Sequence, residues 1–336
     1  MIREAIARVV DGYALTPEEA EAVMREILAG SPTPSQFGAL MVALRMKGET
    51  PEELAGFAGA MRANVTRVTT PTPVVDTCGT GGDGAQTFNI STVAALAVAA
   101  AGQPVAKHGN RAMGSQCGSA DVLEGLGVNI QLGPDRVAAS IAATDFGFMF
   151  APLYNPSMRF ASPLRREIGV RTAFNLLGPL TNPAFARHQL LGVPNHTSGE
   201  KLSQVLALLG TTHALVVCGE GSMDELTLTG ASEVWEVRQG AVQRYAVTPE
   251  DFGMQRCPRS ALRGGDVATN VAITRRVLNG EAGPLLDVVL LSAGAALYAA
   301  DAVPTIQEGI ARARTAIISG AGTTTLERVI AFGAEG

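Results

Sequence analysis

Apolar and polar positions follow two different periodicities along the chain, and the change falls near residue 70. Before it the spacing is helical. Thr16-Pro17-Glu18-Glu19, Thr33-Pro34-Ser35-Gln36 and Thr50-Pro51-Glu52-Glu53 each combine a threonine N-cap, a proline at the first helical position and an acid or amide at the third. The threonine oxygen accepts an orphan N–H, proline lacks the N–H that would go unsatisfied, and Glu or Gln reaches back. Gly30 and Gly48 stop two of these helices. The starts recur every 17 residues, which predicts short antiparallel helices, and Leu40, Met41 and Leu44 repeat at helical spacing. The expectation is a small helical bundle, one face of which also packs against another subunit.

A Thr-Thr-Pro-Thr-Pro linker from Thr69 to Pro73 is extended, and apolar strands then alternate with helices. Val74–Asp76, Pro104–Ala106 and Ala214–Cys218 read as strands, and Thr92–Ala101, Ser119–Leu126, Pro134–Ala143 and Lys201–Leu209 as helices. Val234–Val237 and Val242–Tyr245 flank an Arg-Gln-Gly turn and predict a hairpin, and Val267 to Arg328 is mostly helical. This order predicts an α/β fold with a mainly parallel sheet and ligands at the carboxyl ends of its strands.

The chain has 336 residues, enough for about two domains. Its hydrophobic content of 46% supports a sizeable core, and its net charge of −5 excludes a chain-wide basic face for nucleic acid or membrane. The N-terminus lacks a basic-then-apolar leader, and the apolar runs Val93–Ala101 and Val288–Ala300 fall short of the ~20 residues of a membrane helix. Four scattered cysteines without a CxxC pair exclude a zinc ribbon or disulfide scaffold and predict a cytoplasmic protein. Cys78 and Cys117 read as small buried fillers, and His188, His196 and His213 have no spacing that suggests chemistry.

Gly79-Thr80-Gly81-Gly82-Asp83-Gly84 follows the first strand, where glycines let backbone N–H groups approach an anion. The letters satisfy GxGxxG, yet the helix opens six residues later, and Lys107 and His108 stand near where a dinucleotide site needs an acid. No lysine follows the loop as in a Walker A motif. Asn89-Ile90-Ser91-Thr92 opens the next helix with polar side chains beside free N–H groups. Lys107-His108-Gly109-Asn110-Arg111 follows the second strand, and Gly114-Ser115 and Gly118-Ser119 lead into another helix with Ser119 as its N-cap. Three anion-friendly turns within forty residues predict a ligand with more than one phosphate.

These segments, with Asp76-Thr77-Cys78, Thr87-Phe88, the run from Ala120 to Glu124, Phe174-Asn175-Leu176-Leu177-Gly178-Pro179-Leu180-Thr181-Asn182-Pro183 and Asp224-Glu225-Leu226, resemble the anthranilate phosphoribosyltransferase family in family order along the whole chain. The resemblance implies transfer of phosphoribose from 5-phosphoribosyl 1-diphosphate (PRPP) to the amine of anthranilate, with release of pyrophosphate, in tryptophan biosynthesis. It implies a nucleoside phosphorylase/phosphoribosyltransferase-like architecture. Residues 1–70, with a return segment at about 163–180, form a helical domain that dimerises, and residues 73–162 and 181–336 form the PRPP-binding α/β domain. By the same resemblance Gly79, Gly82, Asp83, Thr87, Asn89, Ile90, Ser91, Thr92, Lys107 and Ser119 hold PRPP with the stretch His108, Gly109, Asn110, Arg111, Ala112, Met113, Gly114 and Ser115. Ser91 and Glu225 bind one magnesium ion, and Asp224 with Glu225 a second. Gly79, Asn110 and Arg165 contact anthranilate, while Lys107, Asp224 and Glu225 serve catalysis.

The sequence departs from the family at Asn155-Pro156-Ser157-Met158, where His-Pro-Ala-Met is usual, and at Ala112-Met113-Gly114, where serines are common. Read without the family, Asp224-Glu225 is a solvated loop acid pair and Arg165 a surface charge, and only the family pattern reverses that reading. Three alternatives remain: a phosphoribosyltransferase for another aromatic acceptor, a pyrimidine nucleoside phosphorylase, and a nucleic-acid-binding homologue without activity.

Overall fold

The computed structural model describes residues 1–112 and 116–335. The chain opens with helices α1 (Ile2–Val10), α2 (Pro17–Leu28), α3 (Pro34–Lys47) and α4 (Pro51–Ala63). All three expected capping boxes form: Thr16, Thr33 and Thr50 accept the N–H three residues on at 3.2 Å, and Glu19, Gln36 and Glu53 accept the threonine N–H. Helix α1 carries no such punctuation and is held by buried Ile2, Ala5 and Val9.

Strand and helix then alternate: β1 (Val75–Gly79), α5 (Ile90–Ala100), β2 (Val105–Gly109), α6 (Ser119–Leu126), α7 (Pro134–Thr144) and β3 (Phe146–Phe150). Helices α8 (Ala151–Tyr154), α9 (Met158–Ile168) and α10 (Phe174–Leu177) intervene before β4 (His188–Gly192), α11 (His196–Leu208) and β5 (His213–Gly219). The hairpin β6 (Ser232–Arg238) and β7 (Ala241–Val247) follows, then α12 (Val267–Leu278), α13 (Pro284–Ala299), α14 (Ile306–Ile318) and α15 (Ala321–Ala334).

The seven strands form one sheet in the order β3-β2-β1-β4-β5-β6-β7, parallel as far as β5 and antiparallel beyond it. Gln239 and Gly240, with φ of 50° and 84°, form the left-handed turn that a twisted hairpin needs. Strands β3 and β4 were not among those expected. Every residue of β3 is buried, so its sequence shows no alternation, and β4 begins with His188 and Gln189. Strands β1 and β2 also extend through Cys78-Gly79 and Lys107-His108-Gly109, polar and glycine endings that read as loop.

Both faces of the sheet are covered. Leu215 and Val217 of β5 join the core made with α5 and α12 to α15, whereas Ala214 and Val216 join the core made with α1 to α4 and α11. Ala161, Ala173, Phe174, Leu177 and Leu180 belong to the second core, so the segment around α9 and α10 returns to the N-terminal bundle. Trp235 seals that side of the sheet: its ring lies so close to Gly199 of α11 that a Cβ there would come within 2.2 Å. His213, silent in sequence, is fully buried with Asp301 2.9 Å from Nδ1 and Glu236 3.1 Å from Nε2. Among the described residues no helix is long and apolar enough to cross a membrane.

Candidate active site

Strand order reverses at β1, because the chain moves outward to β2 and β3 and then returns to β4 on the other side. Such a switch point leaves a crevice at the carboxyl ends of the strands. Here β1 and β4 end side by side in glycines, Gly79 paired with Gly192. Both are required by one neighbour. A Cβ on Gly79 would lie 2.5 Å from Asp224 Oδ2, and a Cβ on Gly192 only 1.6 Å from the Asp224 carbonyl oxygen. The Met223–Leu226 segment therefore crosses the crevice in contact with backbone.

The acid pair is tied to the glycine loop and to the start of α5. Gly81 N–H donates to Asp224 Oδ2 at 2.8 Å, and Ser91 N–H donates to Glu225 Oε1 at 3.1 Å. Asp83 accepts the Asp224 N–H at 3.4 Å. The solvated-pair reading of Asp224-Glu225 fails, since both residues are half-buried and hydrogen-bonded. Burial, followed by repulsion from Asp83, pushes the Asp224 carboxyl up to about 7. Burial and then Asp224 push Glu225 up to about 8, against the pull of Lys107. Carboxylates crowded in this way are poised for a divalent cation, which favours their charged form.

Lys107 is 2% exposed. Its Nζ donates to the Thr77 carbonyl oxygen and stands 3.5 Å from Ser91 Oγ. Burial lowers its pKa, while Asp76 holds it up. Asp76, fully buried, is raised by burial and restrained by Lys107, and it accepts from Asn182 Nδ2 at 2.8 Å. Asn182 also donates to the Ala106 carbonyl oxygen at 2.8 Å, so the strand-end lysine sits in a braced polar layer.

Asn89 is the N-cap residue of α5, yet its side chain makes no cap bond and instead donates to the Cys117 carbonyl oxygen at 3.0 Å. Asn89 Oδ1 and Thr92 Oγ1 are buried with no hydrogen-bond partner among the described residues. Orphaned polar atoms at a helix N-terminus are what a hydroxyl- and phosphate-bearing ligand would satisfy. Ile90 is fully buried beneath them, and Thr87 forms an isolated bridge with Arg263.

After β2, the ring of His108 is pushed down to about 4, chiefly by burial, and its Nε2 lies 3.3 Å from Asn155 Nδ2. Gly109 has Ser119 Oγ within 2.2 Å of where its Cβ would stand. The expected N-cap at Ser119 is corrected. Gly118 is the cap, because a side chain there would strike Ala112 N at 2.4 Å, and Ser119 is the first helical residue, with its hydroxyl donating to the Asn110 carbonyl oxygen at 3.3 Å. Arg111 turns its guanidinium to Asp121 and Glu124, at 3.0 and 2.7 Å, so that charge is already matched. The Ala112 N–H is likewise given to Asp121 Oδ2 at 2.9 Å. Met113, Gly114 and Ser115 lie outside the described residues.

Arg165 lies in the last turn of α9 with its guanidinium 5.2 Å from the Phe174 ring centroid, half-buried, its pKa lowered by burial. It pairs with no carboxylate among the described residues, unlike a surface arginine in a salt bridge. Sequence reasoning passed over Asp76 and Asn182 as a bracing pair, Gly192 as the seat of Asp224, and Arg171. A strand ending in glycine opposite a glycine loop was the one available sign of Gly192.

The family pattern described as "Glycosyl transferase family, a/b domain" matches residues 71–323, and "Glycosyl transferase family, helical bundle domain" matches residues 3–65. A protein of Chloroflexus aggregans named anthranilate phosphoribosyltransferase is 57% identical over 332 residues, 98% of either chain. The Roseiflexus sp. (strain RS-1) protein of that name is 54% identical over 98% of this chain and 97% of its own. Among solved structures, the anthranilate phosphoribosyltransferase of Thermus thermophilus superposes with a TM-score of 0.93 at 47% identity, covering 98% of this chain and 99% of that one. That of Saccharomyces cerevisiae in complex with PRPP and Mg does so at 0.90 with 25% identity, covering 99% and 98%.

Proposed function

The chain belongs to the anthranilate phosphoribosyltransferase family of glycosyltransferases, and from that premise we propose how its residues carry out the reaction. The enzyme transfers the phosphoribosyl group from PRPP to the amine of anthranilate and releases pyrophosphate, a step of tryptophan biosynthesis. The glycine loop with Gly79, Gly82 and Asp83 and the start of α5 with Asn89, Ser91 and Thr92 take the diphosphate and ribose, joined by Lys107 and the backbone from His108 onward. The reading rests on one observation: two strand-end glycines admit Asp224, whose carboxylate, with that of Glu225, is bonded to the backbone N–H groups of Gly81 and Ser91.

The reaction uses magnesium. Asp224, Glu225 and the Ser91 hydroxyl are hard oxygen donors, and among the described residues no cluster of three acidic, histidine or cysteine side chains forms a cage. That sparse set suits magnesium, which keeps waters and substrate oxygens in its shell. We assign two ions per site: Ser91 and Glu225 would hold one and Asp224 with Glu225 the other, and their charge would offset that developing on the leaving pyrophosphate. Lys107, held by the Thr77 carbonyl oxygen, adds a fixed positive charge at the same strand ends. The aryl amine is neutral at pH 7, so catalysis is positioning and charge stabilisation, with attack opposite the departing pyrophosphate and inversion at C1. Arg165 offers a planar fork to the anthranilate carboxylate beside Asn110 and Gly79.

We also propose a cytoplasmic homodimer joined through the helical bundle. Val10 of α1, Tyr13 in the turn after it, and Val42 and Met46 of the adjacent α3 are 68%, 65%, 39% and 83% exposed, an apolar surface suited to a second copy. Cys78, Cys218 and Cys257 are free thiols, in keeping with a reducing compartment.

Loss of anthranilate fluorescence on mixing protein, PRPP, anthranilate and magnesium tests the reading, each component being omitted in turn. Loss that requires all of them is the expected result. No loss, with PRPP still binding by calorimetry, would assign a different aromatic acceptor, and Asn155 would then be the first residue to examine.

A further inference from the structure

Arg171 is half-buried, and neither a hydrogen bond nor an ion pair among the described residues holds its guanidinium. Its side chain lies directly on the glycine loop. A Cβ on Gly82 would fall 1.4 Å from Arg171 Nη1 and 2.5 Å from Cζ, so the absence of a side chain at Gly82 is what admits the guanidinium. Gly82 has φ of 81°, which favours glycine on its own account, and the two requirements coincide. Asp83 is the next residue, yet Arg171 forms no salt bridge with it, so a simple loop ion pair does not account for the approach.

The backbone of Arg171 is anchored elsewhere. Gly169, at φ 70°, turns the chain out of α9, and Arg45 of α3 donates to the Arg171 carbonyl oxygen. The guanidinium thus reaches from the helical side of the molecule to the loop that begins at the end of β1. An unmatched planar cation lying against the Gly82 backbone presents donors to the oxygens of an anion seated at the loop. The loop carries the Asp83 carboxylate and is met by those of Asp224 and Glu225, which repel a polyanion. A further cation offsets that repulsion.

We infer that Arg171 binds the diphosphate of PRPP, and the pyrophosphate product, against the Gly81-Gly82 backbone. This rests on the reading that the glycine loop holds the diphosphate. The test is calorimetric titration of the full-length protein with magnesium pyrophosphate, together with KM for PRPP and for anthranilate, for wild type, Arg171→Ala and Arg171→Lys. Circular dichroism confirms that each variant is folded. Arg171→Ala should weaken pyrophosphate binding and raise the KM for PRPP roughly ten- to a hundredfold, leaving the KM for anthranilate within about twofold. Arg171→Lys, which keeps the charge and loses the fork, should recover part of that loss even if the alanine variant folds poorly. A rise confined to the KM for anthranilate would overturn the inference, as would unchanged pyrophosphate affinity in both variants. Failure of the wild type itself to bind magnesium pyrophosphate would instead overturn the loop assignment, and this inference with it.

Discussion

Asp224 accepts a 2.8 Å hydrogen bond from the backbone N–H of Gly81, across 143 residues of sequence. The contact joins the loop after β1 to the segment after β5, so a carboxylate remote in sequence helps to shape the glycine loop. Asp224→Ala should lower turnover by roughly a hundredfold and flatten its dependence on magnesium. Steady-state rates across a magnesium titration check this, and an unchanged rate would remove Asp224 from the metal site.

Glu225 gives a pH-dependent signature. Its folded pKa, about 8, lies above the ordinary 4.5, so its contribution to stability is complete below about pH 4.5 and is lost as pH rises through 8. Glu225→Gln mimics the protonated form throughout. Without magnesium, the variant should gain on wild type as pH rises through this window, by ~2 kcal/mol, a figure trimmed because the half-buried side chain is partly screened. Urea melts at several pH values give the difference. Magnesium with pyrophosphate should reverse its sign by favouring the ionised carboxylate.

Arg165→Ala should raise the KM for anthranilate about ten- to a hundredfold and leave that for PRPP within about threefold. Equal rises in both would mean that stacking of Arg165 on Phe174 only supports α9.

Gly192→Ala tests the packing beneath the acid pair. The new Cβ would meet the Asp224 carbonyl oxygen at 1.6 Å, and the obstacle is backbone, which no side-chain rotation relieves. Stability should fall by ~3 kcal/mol and activity with it, as the Met223–Leu226 segment is displaced. A variant of native melting temperature and rate would show that the segment moves freely.

The capped helices were legible because threonine, proline and glutamate act within four residues of one another, and the capping boxes formed where the letters put them. The glycine loop was legible for the same reason. Strand β3 was hidden because Phe146 to Phe150 is buried on both faces, which erases the period of two. Gly118 displaced Ser119 as the α6 cap through contact with Ala112, a neighbour that helix rules do not see. Asn182 bracing Asp76, Gly192 beneath Asp224, and His213 between Glu236 and Asp301 all depend on partners 23 to 106 residues away in sequence, where spacing carries no information.

Trp235, packed on Gly199 where the sheet meets α11, is the chain's one tryptophan. The molecule therefore carries a built-in optical label at a known junction. A shift in indole emission during denaturation marks the opening of the seam between α11 and the sheet, while bound anthranilate reports on the crevice. The two signals together would show, in one cuvette, whether the scaffold loosens before the site empties.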